Sequence, residues 1–331
     1  MAYRLRWKRR RLLARALRSR HNLTAVHDRT AAIRPRDILC FSTVRNEAIR
    51  LPWFLDHHRK LGIAQFLIVD NASDDGTTEY LRAQPDVSLW TTAASYKASR
   101  FGVDWLTWLQ MRHGHGHWCL TADADEILIY PYWDSRDLHA LTGWLDRQGR
   151  PMLGAMMLDM YPQGPVADHP YHAGDDPFDT LCWFDSANYG IQIQQPMGNL
   201  WIQGGPRARK FFGEDPRRAP TLNKTPLVKW NWRYAYVNST HSILPARLNR
   251  IYDQPGEAPS GLLLHTKFLN VIVPRAAEEK ARAQHFSNSA LYDRYYDALT
   301  ENPDFWCPQS RRYTGWRALE SMGLMSRGGW L

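Results

Sequence analysis

Between residues 38 and 128, four short apolar runs alternate with three stretches of helical pattern, and this alternation restricts the fold more than any other feature of the chain. The apolar runs are 38–44, 66–69, 87–91 and 117–121. The helical stretches are 51–61, 77–83 and 100–112, the last with Phe101, Trp105, Trp108 and Leu109 at helical spacing. Such alternation predicts an α/β fold with a doubly wound, mostly parallel sheet, because each crossover helix returns the chain to start the next strand in the same direction. In such sheets ligands bind beyond the carboxyl ends of the strands.

The residues after each run therefore define a candidate site. The first run delivers Arg45, Asn46 and Glu47, the second Asp70 to Gly76, and the fourth Asp123, Ala124, Asp125 and Glu126. Two aspartates one residue apart in an extended segment direct their carboxylates to one side. As hard oxygen donors they suit a divalent ion such as Mn²⁺ or Mg²⁺ that is also held by a substrate's phosphates. The same triplet in isolation would also suit a solvated acidic turn. Neither GxGxxG nor GxxxxGK[ST] occurs, so phosphates at this acidic rim would need a metal or nearby cations rather than a glycine-rich cradle.

Beyond Pro131 the chain becomes rich in Pro, Gly and aromatic residues. A helix is expected at 137–146, a strand at 152–158, and an irregular region at 161–230 that contains Gly204 to Lys210 (GGPRARK) and Leu222-Asn223-Lys224. A strand at 261–264 runs into His265, and helices starting after Pro274 and near Ser289 close the fold. The alternating His113, His115 and His117 read as a helix-to-strand loop, since the intervening glycines loosen the segment and no Cys or carboxylate is spaced to complete a metal site. No repeat or low-complexity linker divides the chain, so residues 36–331 are expected to form one domain, with a first half at 36–131 and a second at 132–331.

The formal charge of +9 suggests nucleic acid until it is located. Residues 1–20 hold nine of the 42 Lys/Arg and no acid; the 33 that remain balance the 33 Asp/Glu, so the body is neutral. Residues 1–35 form a basic leader in which Leu5, Trp7, Leu12, Leu13 and Leu17 lie between the arginines. As a helix it suits an anionic membrane surface; as a tail it is simply solvated, and nucleic acid is not expected as a partner. No apolar region of a signal peptide follows it, and no run approaches the roughly 20 residues that span a bilayer. Cys40, Cys119, Cys182 and Cys307 show no CxxC spacing and read as buried thiols in a reducing compartment, so the expected location is the cytoplasm, with the leader at the inner membrane face or free. The fifteen tryptophans suit core filling or stacking on sugars.

Residues 45 to 131 resemble the nucleotide-sugar half of a GT-A glycosyltransferase of the bacterial family 2-like group. The matching pieces are Arg45-Asn46-Glu47, the helix from Leu51-Pro52-Trp53 to Leu61-Gly62, Ile68-Val69-Asp70-Asn71 with Ser73 to Thr77, and Asp123 to Glu126. Leu158 to Tyr161, Gly204 to Arg207, Leu222 to Leu227 and Leu263 to Leu269 extend the resemblance over most of residues 38–325. It implies a UDP-sugar donor, a glycan or lipid-linked acceptor, and Mn²⁺ or Mg²⁺. Asp70 would accept from the nucleobase, with Arg45 and Glu47 beside the nucleoside and Arg100 also on the nucleotide. Asp123 would hold ribose or metal-bound water, and Asp125 would ligate the metal. His265 is similar to a late metal-ligating histidine in that group, although a histidine at an apolar strand end also suits a satisfied core residue.

Breaking an anomeric bond to a diphosphate develops negative charge on the leaving group, which a metal and cations such as Arg207, Arg209, Lys210 and Lys224 would stabilise. An inverting reaction also needs a carboxylate base, and Asp159, Asp185 and Asp215 all follow at suitable positions. Inversion is implied by the resemblance, not by a chosen base. The alternatives are a nucleotidyltransferase on a similar sheet and a non-catalytic peripheral protein that binds a sugar nucleotide.

Overall fold

The structure is a computed structural model that describes residues 2–251, 258–276, 295 and 297–330. Among these residues nine strands form one sheet, numbered here in chain order: β1 Thr24–His27, β2 Ile38–Val44, β3 Ile63–Asp70, β4 Val87–Thr91, β5 Trp118–Thr121, β6 Glu126–Ile129, β7 Met152–Asp159, β8 Asn223–Lys229 and β9 Ser260–His265. They lie in the order β1-β4-β3-β2-β5-β8-β7-β9-β6. Strands β2, β3, β4, β5, β7 and β9 run one way; β1, β6 and β8 oppose them. The fold is α/β with a mixed, mostly parallel sheet.

The central strands are buried on both faces, so their sequences are continuous apolar runs rather than alternating ones. Period-two alternation still divides the core. Cys40, Phe66 and Ile68 face one layer, with Leu51, Phe54 and Leu55 of α2 (Leu51–Lys60), Leu81 of α3 (Thr77–Arg82) and Leu141 of α5 (Leu138–Arg147). Leu39, Phe41, Leu67 and Val69 face the other, with Trp105, Leu106 and Leu109 of α4 (Val103–His113). The outer strand β1 is polar and mostly exposed, as suits a sheet edge.

The observed elements follow the expected order, with local differences. β2 and β4 have the expected limits, whereas β3 is longer and the short β6 was not anticipated. The third helix begins at Val103 rather than at residue 100, because Arg100, Phe101 and Gly102 all have positive φ, at 56°, 61° and 76°. Gly102 lies against Thr43, whose Oγ1 would be 2.6 Å from a Cβ at that position. The chain is helical at 272–276, and the helix expected near Ser289 lies outside the described residues. His113 ends α4 and Gly114 to His117 form the loop into β5.

The basic N-terminal segment is helix α1 (Ala2–Ser19), and it does not hang free of the domain. Leu12 and Ala16 are buried, Leu12 clustering with Ala235 and Leu244, and Arg15 Nη2 lies 2.9 Å from Asp104 Oδ2 of α4. Among the described residues no helix is long and apolar enough to cross a membrane.

Candidate active site

The strand directions explain which side chains meet. The carboxyl ends of β2, β3, β5, β7 and β9 share an edge with the amino ends of the opposed strands β6 and β8. That edge receives Glu47 after β2, Asp70 ending β3, Asp123 and Asp125 after β5, Asp159 ending β7 and His265 ending β9. Glu126 and Lys224, at the starts of β6 and β8, arrive from the opposite direction.

The centre of the site is a charged chain through His265. Register places His265 beside Asp159 on one side and Glu126 on the other. Its Nδ1 lies 2.6 Å from Asp159 Oδ1 and its Nε2 3.1 Å from Asp125 Oδ2, while Arg207 Nε donates to Asp159 Oδ2 at 2.7 Å. Arg207 comes from the short helix α7 (Gly205–Phe211), the next helix after α6 (Pro177–Thr180). Burial alone would lower the His265 pKa, but the two carboxylates outweigh it and raise it. Burial alone would likewise raise both aspartates. His265, Arg50 and Lys267 hold Asp125 well below the usual carboxylate range, and Arg207 with His265 hold Asp159 at about 2.

Beside this chain Lys224 Nζ lies 2.7 Å from Glu126 Oε1 and 3.9 Å from Asp123 Oδ2. Burial disfavours the lysine charge, but Glu126 and Asp123 more than compensate, and the Lys224 pKa rises. Desolvation, tempered because half of the side chain is exposed, and crowding by Glu126 push the Asp123 carboxyl up. The extended geometry expected for Asp123 and Asp125 is not what forms. Glu126 N–H donates to Asp123 C=O at 3.0 Å, closing a turn between β5 and β6. The two carboxylates are consequently divided, Asp125 toward His265 and Asp123 toward Lys224.

On the other side Glu47 joins the strand-end loops. It accepts from Arg50 Nη1 at 2.9 Å and from Arg275 Nη1 at 2.8 Å. The loop after β2 is fastened to the loop after β3 by Arg45 Nη1 to the carbonyls of Asn71 and Ala72, and by Glu47 N–H to Thr77 Oγ1. Asp70 is buried, and its Oδ1 accepts from Ser73 of the following loop and its Oδ2 from Thr78 in the first turn of α3. As placed, Asp70 fastens the loop after β3 to the start of α3.

A small cavity of about 20 Å³, room for one water, lies beside Asp123 and is lined by Phe101, Val103, Leu106, Tyr236, Ser239 and Thr240. Thr43 Oγ1 and Thr240 Oγ1 line it with no hydrogen-bond partner among the described residues. Arg100 braces this wall, donating to Asp104 Oδ1 and to the carbonyls of Tyr236 and Val237. As placed, the Arg100 guanidinium is engaged by these protein acceptors.

The three base candidates separate. Asp159 lies within the charged chain. Asp185 binds Tyr161 Oη and Arg209, whose Nη2 also donates to Phe305 C=O, so Asp185 and Arg209 pair with each other beside the cluster. Asp215 is half-exposed, and among the described residues its ion pairs are to Arg217 and Arg218 at the surface. Arg50 and Arg275 were not singled out in the sequence, and Glu126 was named there only as one of the acids after the fourth run. Arg50 follows Glu47 by one helical turn, a spacing that could have signalled it, whereas nothing local announces Arg275.

Among the described residues no three His, Cys, Asp or Glu side chains are grouped to hold a metal unaided. The donor chemistry nevertheless fits an ion completed by substrate oxygens. Asp125 Oδ2 and His265 Nε2 face each other, and Asp159 holds the other ring nitrogen, the usual support of a metal-ligating histidine.

No known family's profile matches the chain, and no curated protein matches it. Among solved structures, a crystal structure of 4-diphosphocytidyl-2C-methyl-D-erythritol synthase aligns at 14% identity over 59% of this chain and 73% of that one, with a TM-score of 0.27. A likeness that slight carries no argument.

Proposed function

We propose that this protein is a metal-dependent glycosyltransferase that moves a sugar from a nucleotide-diphosphate sugar, a UDP-sugar by the sequence resemblance, to a glycan or lipid-linked acceptor. The observation that supports this reading is the gathering of Asp123, Asp125, Asp159 and His265 with Lys224, Arg50 and Arg207 at one sheet edge. Acids and cations alternate there, so a diphosphate meets fixed positive groups only if a further cation offsets the carboxylates. Asp125 and His265 would hold Mn²⁺ or Mg²⁺, with Asp123 on the open side. When bound, such an ion would offset the charge that develops on the diphosphate as the anomeric bond breaks.

The remaining roles belong to the chain itself. Asp159 orients the His265 ring through Nδ1, and Arg207 keeps Asp159 ionised. Lys224 supplies a buried positive charge toward Asp123. With both oxygens engaged and its pKa low, Asp159 suits positioning better than proton acceptance. Asp185 would have to relinquish Arg209 to act as base, and an inverting outcome rests on the family resemblance.

Incubating the protein with UDP-, GDP- and dTDP-sugars, with and without Mn²⁺, tests the reading. Metal-dependent release of nucleoside diphosphate and sugar is expected. Pyrophosphate released from a nucleoside triphosphate would instead mark a nucleotidyltransferase, and UDP binding without turnover a non-catalytic protein.

A further inference from the structure

Helix α1 carries two stripes with different fates. Leu5, Arg9, Leu12, Ala16 and Ser19 recur every four and three residues and face the domain; Leu12, Ala16 and Ser19 are buried. Tyr3, Trp7, Arg10, Ala14 and Leu17 recur the same way one residue-pair earlier, and of these Tyr3, Trp7 and Leu17 are large apolar side chains left 68%, 49% and 42% exposed. This outward stripe is already ordered, because the Tyr3 and Trp7 rings meet edge to face at 6.1 Å and Arg10 stacks over Trp7 at 5.4 Å. Cations flank it throughout, and residues 1–20 contain no acid to neutralise them.

Along the border of the domain-facing stripe the fold adds cations from a distant part of the sequence. Docking of Leu12 beside Ala235 and Leu244 brings Arg233 and Arg247 near α1. Burial, and then the charges of Arg233 and Arg247, lower the Arg9 pKa, the mark of cations gathered without acids between them. Trp232 is exposed at 44% with Arg233 stacked on it at 4.7 Å, which repeats the aromatic and arginine pairing of Trp7 and Arg10.

We propose that α1 together with Trp232, Arg233 and Arg247 forms a fixed platform that seats on an anionic lipid bilayer. Exposed aromatic rings bracketed by arginines match an interface in which rings lie at headgroup level and guanidinium groups meet lipid phosphates. A duplex or single-stranded nucleic acid would use the cations but leaves the aliphatic Leu17 and the outward position of Tyr3 without a purpose, so lipid is the partner favoured by the whole stripe. The platform is independent of the transferase reading. It also differs from a flexible basic tail, since part of it belongs to the body of the domain.

The test is co-sedimentation of the full chain with vesicles of phosphatidylcholine and of an equal mixture with phosphatidylglycerol. Binding is expected only to the anionic vesicles, weakening as salt is raised. At about 1 kcal/mol for each surface cation, Arg233→Ala with Arg247→Ala should weaken binding roughly 30-fold, and Trp7→Ala with Trp232→Ala should also weaken it. All four side chains are exposed, and an unchanged circular-dichroism melting curve checks that folding is intact. Equal binding to both vesicle types, or none to either, overturns the proposal. So does unaltered binding by the Arg233/Arg247 variant, which would leave a mere basic helix, or tighter capture of an RNA oligonucleotide than of anionic vesicles.

Discussion

Replacing Asp159 by Asn tests the charged chain at its least exposed link. Asp159 is 2% exposed and uses one oxygen for His265 Nδ1 and the other for Arg207 Nε. Asparagine keeps the shape but accepts on only one side, so its NH₂ must face one of two donors, and the buried Arg207 loses its counter-charge. Breaking a buried pair by removing one partner costs about 3–5 kcal/mol. At roughly 2 °C per kcal/mol for a chain of this size, the apo protein should melt about 6–10 °C lower. His265 also loses its orienting partner, and that class of change weakens metal binding about 10–100-fold. Differential scanning fluorimetry, run with UDP across a Mn²⁺ titration, reads both effects. A variant that melts with the wild type and has the same Mn²⁺ midpoint would refute the reasoning, since both consequences follow from the same two hydrogen bonds.

Three further outcomes are expected. His57 and His58 are buried and His241 is half-buried, and desolvation holds each below the ordinary value of 6.5, His57 at about 4, His241 at about 3 and His58 well below. A depressed histidine loses stability as pH falls below 6.5, so all three lower stability between pH 7 and 5, His57 by about 2 kcal/mol. His265 has the opposite sign and offsets a little of this. Urea midpoints at the two pH values check it, and equal midpoints would contradict it. Cys40 and Cys119 are buried with thiol pKa values pushed up by desolvation, whereas Cys182 and Cys307 are half-buried rather than buried as their sequence suggested. Under native conditions a thiol reagent should modify the latter two, and Cys40 and Cys119 only after unfolding, as peptide mapping would show. Asp215→Ala should change stability by less than about 0.5 kcal/mol and leave sugar-nucleotide turnover intact, because its partners are exposed arginines; a large loss of turnover would return Asp215 to the site.

Much of the first half was legible because central parallel strands write themselves as uninterrupted apolar runs. Ile38–Val44 and Val87–Thr91 have the same limits in sequence and structure. What a run of four residues cannot show is a change of direction. Glu126 to Ile129 form an antiparallel strand directly after the turn at Asp123, and that reversal is why the two aspartates divide between His265 and Lys224 instead of pointing together. Lys224 was anticipated as a cation, but its burial against Glu126 depends on β8 opposing its neighbours. The helical pattern starts at residue 100, whereas the helix begins at Val103, and the positive φ values at 100–102, which no apolar spacing announces, set Arg100 against Asp104. The leader's basicity was plain, whereas its docking on the domain depends on Leu12 beside Ala235 and Leu244 and on Arg15 beside Asp104, which composition does not single out from the other residues of the segment.

The central claim is that Asp125 and His265 complete an ion site on which a nucleotide diphosphate rests. Melting of the wild type and of Asp125→Ala in UDP, with Mn²⁺ present and absent, tests it most directly. The wild type should gain stability from UDP and Mn²⁺ together beyond the sum of either alone, and the variant should lose that joint gain while keeping whatever UDP contributes without metal. A wild type indifferent to the pair, or a variant that keeps the full joint gain, would contradict the claim.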